Sequence, residues 1–208
     1  FDYCVAVDGD GDRIVLSDNK GTIFTGDDIL YTLASRNKMI GKDHSDTVVG
    51  TTMSNQGVVE ALGKLGVSFL RTDVGDKYIS RELVKHNLNV GAEPSGHVIQ
   101  REFSESGDAN IALIQTLAAL QELDTTIAEI KKNIDYKPLS LKNFSVSDIE
   151  VVESEIFIES INKLKKNHPE ARISVRKSGT EPIIRAMVEA ETEKDKDFIL
   201  GEIESLIS

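Results

Sequence analysis

Cysteine occurs once in the 208 residues, tryptophan not at all, and proline only four times. The lone Cys4 excludes an internal disulfide framework and any zinc site built on several thiolates, and it agrees with a reducing, cytoplasmic compartment. No apolar run approaches the ~18 residues that would cross a bilayer. Basic residues are in the minority: 24 Lys+Arg stand against 35 Asp+Glu, a formal net charge of −11. Such a surface repels phosphate backbones and anionic lipid, which argues against nucleic acid or a membrane as partner. A small phosphorylated ligand in one local basic pocket is still allowed. With 39% hydrophobic and 28% charged residues, the composition is that of a globular chain long enough for one large domain or two smaller ones.

Phe1 to Val7 read as a buried strand running straight into Asp8. A domain rarely opens in mid-strand, so the sequence predicts a C-terminal piece of something longer. Ile14 to Leu16 form a second short strand, and a helix is expected from about Asp27 to Arg36. Val48–Gly50 then begins an alternation of strand and helix. Ser54 is expected to cap a helix carrying Val58, Val59, Leu62 and Leu65, and Gly66 to stop it. Val67 to Leu70 are extended, Asp76 to His86 helical, and Leu88 to Val90 extended. Ile111 to Leu123 form a well-buried helix with Ile114, Leu117, Ala118 and Ala119. This rhythm predicts an α/β fold: a three-layer domain with a mainly parallel sheet. After Asn133 the pattern changes. An extended Tyr136 to Val146, a charged helix from Glu150 to Lys166, strands at Arg172–Arg176 and Ile183–Ala190, and a closing helix from Asp197 to Ile207 describe a small α+β domain. Its strands should be joined without a crossover helix, and the boundary should fall at about 134 to 138.

Three loops carry chemistry. In Asp8-Gly9-Asp10-Gly11-Asp12-Arg13, glycines let three alternate carboxylates curl toward one point, an oxygen-rich set suited to Mg2+ or Ca2+. An EF-hand is excluded, because its sixth and twelfth positions fall on Arg13 and Asn19 instead of Gly and Glu. A solvated acidic turn competes with the metal reading. Arg13 could balance a phosphate beside the ion. In Gly91-Ala92-Glu93-Pro94-Ser95-Gly96-His97, at the C-terminal end of a strand, Glu93 and Ser95 on one side of an extended segment suit a pair of sugar hydroxyls. A ligand-free Gly/Pro connection competes with that, and His97 before Val98-Ile99 reads equally as a partly buried histidine. In Arg176-Lys177-Ser178-Gly179-Thr180-Glu181-Pro182, followed by Arg185, two hydroxyls, two arginines and a glycine make a nest for a phosphate monoester. An ordinary polar hairpin is the plainer alternative.

Taken together and in this order, the three loops resemble those of the α-D-phosphohexomutase superfamily, over essentially the whole chain. Thr51-Thr52-Met53-Ser54-Asn55 and Val74-Gly75-Asp76-Lys77-Tyr78 are most similar to the bacterial branch that isomerises glucosamine phosphates. The resemblance implies four domains. Residues 1–40 would be the C-terminal part of the second, 41–135 the third, and 136–208 the fourth, an α+β domain of the TATA-box-binding-protein-like kind. It implies Mg2+ held by Asp8, Asp10 and Asp12, with Arg13, Asp76 and Lys77 in catalytic positions. Glu93, Ser95, His97, Arg176, Ser178, Gly179, Thr180 and Arg185 would bind a hexose phosphate. It also implies a phosphoserine on an N-terminal domain absent from these residues, so that the chain alone would be inactive. Phosphomannomutase/phosphoglucomutase activity, or a noncatalytic phosphosugar-binding module, are the alternatives.

Overall fold

The structure, a computed structural model, describes residues 1–42, 46–146, 149–178 and 181–207. The chain divides into two compact units, Phe1–Tyr136 and Lys137–Ser208. The first opens with an antiparallel meander of β1 (Tyr3–Val7), β2 (Ile14–Asp18) and β3 (Ile23–Phe24). Its core takes Ile14, Leu16 and Phe24 from β2 and β3, but only the partly buried Tyr3 from β1. Within these 208 residues Val5 and Val7 are 42% and 47% exposed, where the sequence reading expects a buried strand. Among the described residues β1 pairs with β2.

Helix α1 (Gly26–Met39) starts where the Asp28 carboxylate accepts from both the backbone N–H and the hydroxyl of Thr25. It buries Ile29, Leu30, Leu33 and Ala34. Then follow β4 (Thr47–Thr51), α2 (Gln56–Lys64), β5 (Ser68–Thr72), α3 (Asp76–Lys85), β6 (Val90–Ala92), β7 (Val98–Gln100), α4 (Ala109–Glu122) and α5 (Ile127–Lys132). Asn55, not Ser54, caps α2: its side chain accepts from the Gly57 N–H at 2.9 Å, while Ser54 is buried one residue earlier.

The sheet order is β5-β4-β6-β7, with the first three strands parallel and β7 antiparallel. Period-two alternation divides its faces. Val48 packs with α1, α2 and α4, whereas Val49 joins Ile79 and Leu83 of α3 and Ile99 of β7. The result is the expected three layers with a mainly parallel sheet. Helix α4 turns Ala109, Ala112, Thr116, Ala119 and Leu120 inward, and its small side chains let α1 approach closely. Ile114 lies on the opposite side at 63% exposure, contrary to the sequence reading. From β4 the chain passes to β5 on one side, and from β5 to β6 on the other. The C-terminal ends of β4 and β6 therefore flank a topological switch point, the place where open α/β sheets take ligands.

The second unit contains β8 (Leu139–Ser145), a 3-10 turn (Ile149–Glu153), α6 (Glu155–Asn167), β9 (Arg172–Lys177), β10 (Ile183–Glu189) and α7 (Glu193–Ile207). Its sheet runs β8-β10-β9 with antiparallel neighbours. Among the described residues a helix lies between β8 and β9 and none between β9 and β10. β8 and β9 flank β10 in parallel, and α6 forms the crossover between them, which corrects the expected connection. The single helix predicted over 150–166 is also divided. Ser154 donates to Val151 O and accepts from the Phe157 N–H, ending the 3-10 turn and capping α6. Phe157, Ile161, Leu164, Ile199 and Ile203 cover one sheet face through Phe144, Ile173, Ile184, Ala186 and Val188.

Candidate active site

Asp8, Asp10 and Asp12 lie between β1 and β2, and each offers a carboxylate oxygen within 4.8 Å of the others. The loop is closed by the Asp8 N–H donating to Arg13 O at 3.4 Å and the Arg13 N–H donating to Asp8 Oδ1 at 3.1 Å. Partial desolvation raises the Asp8 pKa. The Arg13 N–H and the Arg13 charge oppose it, and the carboxyl lies below its ordinary value. Arg13 is half-exposed, its Nε 3.8 Å from Asp8 and 4.0 Å from Asp12. Asp12 Oδ1 is buried and has no hydrogen-bond partner. A buried, unpartnered carboxylate oxygen beside two further carboxylates is what a hard divalent cation needs, so these residues fit Mg2+.

This loop is fastened to the Glu93–His97 segment. Arg13 and His97 form an antiparallel bridge, the Ile14 N–H donates to Gly96 O at 3.1 Å, and His97 Nδ1 stands 2.9 Å from Asp12 Oδ2. Gly96 has φ +95°, and a Cβ there would stand 2.0 Å from Ile14 O. Glycine is required both by the left-handed backbone and by the approach of the two loops. The Gly96 N–H donates to Glu93 O at 3.0 Å, which makes 93–96 a tight turn rather than the extended segment expected. Glu93 and Ser95 therefore do not share a side. Glu93 is 8% exposed and its carboxylate accepts from the Gly75 N–H, the N-cap of α3, at 2.8 Å; Ser95 is exposed. That hydrogen bond brings Asp76 and Lys77, both exposed in the first turn of α3, to the Glu93 side of the switch point.

The sequence reading missed Asp27. It is 3% exposed and accepts from the Asn55 N–H at 2.9 Å through Oδ2, while its Oδ1 has no partner. Burial pushes its pKa up to about 6 despite the Asn55 N–H and the Ser54 hydroxyl. Arg71 holds the same stretch from the other side, donating to Thr51 O at 3.2 Å, Ser54 O at 2.9 Å and Gln56 Oε1 at 2.8 Å. Together they fix the loop at the C-terminal end of β4. Asp28, fully buried, accepts from Lys131 Nζ at 2.9 Å and from the Tyr136 hydroxyl, whose pKa burial and that carboxylate push upward. No periodic pattern marks Asp27 or Asp28 in advance. Their signal is a pair of acidic residues at a helix start that is otherwise apolar.

In the second unit, Arg176 on β9 and Arg185 on β10 are direct cross-strand partners. Like charges in that position oppose strand pairing unless an anion lies between them. Arg185 donates to Glu181 at 3.1 Å, and its Nε is buried without a partner. Ser178 is buried, and its N–H donates to Ile183 O at 2.9 Å. Gly179 and Thr180 lie outside the described residues.

The family model for phosphoglucomutase/phosphomannomutase, alpha/beta/alpha domain III, matches residues 25–136, and that for the C-terminal domain of the same family matches 141–204. The chain belongs to the phosphoglucomutase/phosphomannomutase family. It is 39% identical over 208 residues to a phosphoglucosamine mutase of Hahella chejuensis and 37% identical over 207 residues to one of Parvibaculum lavamentivorans. Each match covers 99% of this chain and 46% of the relative, so the chain spans about half the length of the curated relatives it matches. Its fold is that of solved members of the family. An N-acetylglucosamine-phosphate mutase in its substrate complex superposes with TM-score 0.78 at 21% identity, over 99% of this chain and 48% of that one. Aspergillus fumigatus N-acetylphosphoglucosamine mutase, in complex with GlcNAc-6P and magnesium, superposes with TM-score 0.80 at 19% identity, over 99% and 52%. Among the described residues no helix is long and apolar enough to cross a membrane.

Proposed function

We propose that this chain supplies the metal-holding, sugar-binding and phosphate-clamping loops of a phosphosugar mutase that interconverts glucosamine 6-phosphate and glucosamine 1-phosphate in the cytoplasm. The observation that carries this reading is the carboxylate cluster of Asp8, Asp10 and Asp12, hydrogen-bonded through Asp12–His97 and Ile14–Gly96 to the turn bearing Glu93. Asp8, Asp10 and Asp12 hold Mg2+, which when bound neutralises charge on a transferring phosphoryl group. Arg13, exposed at the loop's rim, steadies that phosphoryl group. Glu93, the first residue of the turn, and Ser95, exposed in its middle, grip sugar hydroxyls. Asp76 and Lys77 supply acid/base groups at the start of α3. Arg176, Arg185, Ser178, Gly179 and Thr180 clamp the phosphate that is not reacting and so orient the sugar.

The family resemblance places the phosphoryl-carrying serine on a domain outside these residues, and we expect the 208-residue chain to bind ligand without turnover. Residues 1–24 read as the end of the family's second domain. A boundary before residue 40 is supported by the domain III match from Thr25 and by the packing of α1 against β6 and α4. The remainder supplies the third and fourth domains.

The test is turnover by the whole protein that contains this chain, with glucosamine, glucose and mannose 6-phosphates each in excess Mg2+. Preference for the amino sugar is expected. Turnover confined to glucose or mannose phosphates would assign it to phosphomannomutase/phosphoglucomutase. Saturable binding with no turnover would make it a noncatalytic phosphosugar-binding module.

A further inference from the structure

The sequence groups His97 with the sugar loop, but its ring is aimed elsewhere. It is 4% exposed, Nδ1 lies 2.9 Å from Asp12 Oδ2, and Nε2 is buried without a partner. The hydrogen bond to a carboxylate places the proton on Nδ1. The ring is also held sterically. A Cβ at residue 107 would come within 2.4 Å of His97 Cε1 and 2.5 Å of Nε2, so the imidazole fills the space that Gly107 leaves empty. Two residues on, the Ala109 N–H at the start of α4 donates to Gly11 O at 3.0 Å, within the carboxylate loop. Asp12 is thus held on one side by His97 and the loop backbone on the other by α4. Its Oδ2 is occupied by the imidazole, while Oδ1 makes no hydrogen bond and has the Arg13 Nε 4.0 Å away.

We infer that His97 is a positioning residue for Asp12, a donor behind the carboxylate that presents Oδ1 to a divalent cation, and not a sugar ligand. The inference rests on the metal reading proposed above. Carboxylates that ligate metals are themselves held by hydrogen bonds, and loss of such a partner typically costs about 10–100-fold in metal affinity.

Mn2+ is the probe, with free ion counted by electron paramagnetic resonance during titration of the 208-residue chain. His97→Asn keeps an amide N–H close to the position of Nδ1, whereas His97→Gln places its amide near Nε2. Folding of each variant is checked by urea melts. The inference expects Asn to bind Mn2+ nearly as the parent does and Gln to bind about 10–100-fold more weakly. Gly107→Ala, which displaces the ring without removing it, should weaken binding in the same direction. Asp10→Asn is the control for the metal site. If Asp10→Asn weakens Mn2+ while His97→Gln does not, or if Asn fails as badly as Gln, the positioning role is overturned and the metal reading stands. If the parent chain shows no saturable Mn2+ binding, the metal reading falls and takes this inference with it.

Discussion

Asp27→Asn is the substitution whose effect can be worked most directly from the structure. Asp27 titrates at about 6 in the fold, against an ordinary value of 3.8. The folded state therefore binds more protons than the unfolded state between those two values. The sign is opposite to that of a salt-bridged carboxylate: stability falls as pH rises from about 4 to about 6, and the penalty is complete above that range. The displacement corresponds to about 3 kcal/mol at neutral pH. Asparagine keeps an oxygen for the Asn55 N–H and removes the charge. Its new amide N–H₂, buried where Oδ1 now stands unpartnered, carries a cost that does not depend on pH. The informative quantity is therefore the change in the variant's relative stability between pH 4 and pH 7.5, measured by urea unfolding. It should move in favour of asparagine by about 2–3 kcal/mol. Carboxyls held below their ordinary values, including Asp18 by the Thr22 N–H, Glu122 by Arg36 and Glu129 by the Thr126 hydroxyl, give the protein an opposing slope. They are common to both chains and cancel in the difference. Parallel pH profiles for the parent and Asp27→Asn would refute the argument that Asp27 is buried as a charge above pH 6.

Gly96→Ala should destabilise the first unit by at least about 2 kcal/mol in urea melts, since it combines left-handed strain with displacement of Ile14. Tyr136→Phe takes a donor from the buried Asp28 carboxylate and should cost about 1–3 kcal/mol by the same assay. Arg176→Ala combined with Arg185→Ala should abolish calorimetric binding of glucosamine 6-phosphate to the whole protein while leaving Mn2+ affinity unchanged. Retained sugar-phosphate binding would place the clamp elsewhere.

Much of the fold was legible because its signals are local. Val48–Val49 alternation, the apolar faces of α1 and α2, and the Gly66 stop are written in neighbouring residues, and so are the three motif loops. What stayed hidden depends on residues far apart in sequence. Nothing around Val5 indicates which strand β1 pairs with. The crossover through α6 cannot be separated from a hairpin until β10 is seen between β8 and β9. Ser154 is the local exception: its hydroxyl caps α6 through the Phe157 N–H three residues on, within a stretch that otherwise reads as one helix. At the site, the acidic loop can be read as a metal candidate from spacing alone. The turn at 93–96 is local, closed by the Gly96 N–H on Glu93 O, but the buried charge of Asp27 and the Asp12–His97 contact appear only when elements from separate parts of the chain meet.

That last contact bears on the order of folding. Asp12 and His97 are 85 positions apart, and closing so long a loop comes late relative to local helix formation. The string Asp8–Arg13 is a contiguous motif, but its geometry is a long-range product, complete only after β6, β7 and the start of α4 have assembled beneath it. A cation bound there is consequently a ligand of the whole first unit. By mass action, 100 Kd of free ion would add about 2.7 kcal/mol to the unfolding free energy of elements as distant as α3 and α5. Slowed hydrogen exchange in those helices on addition of Mn2+ would register that the acidic loop had closed.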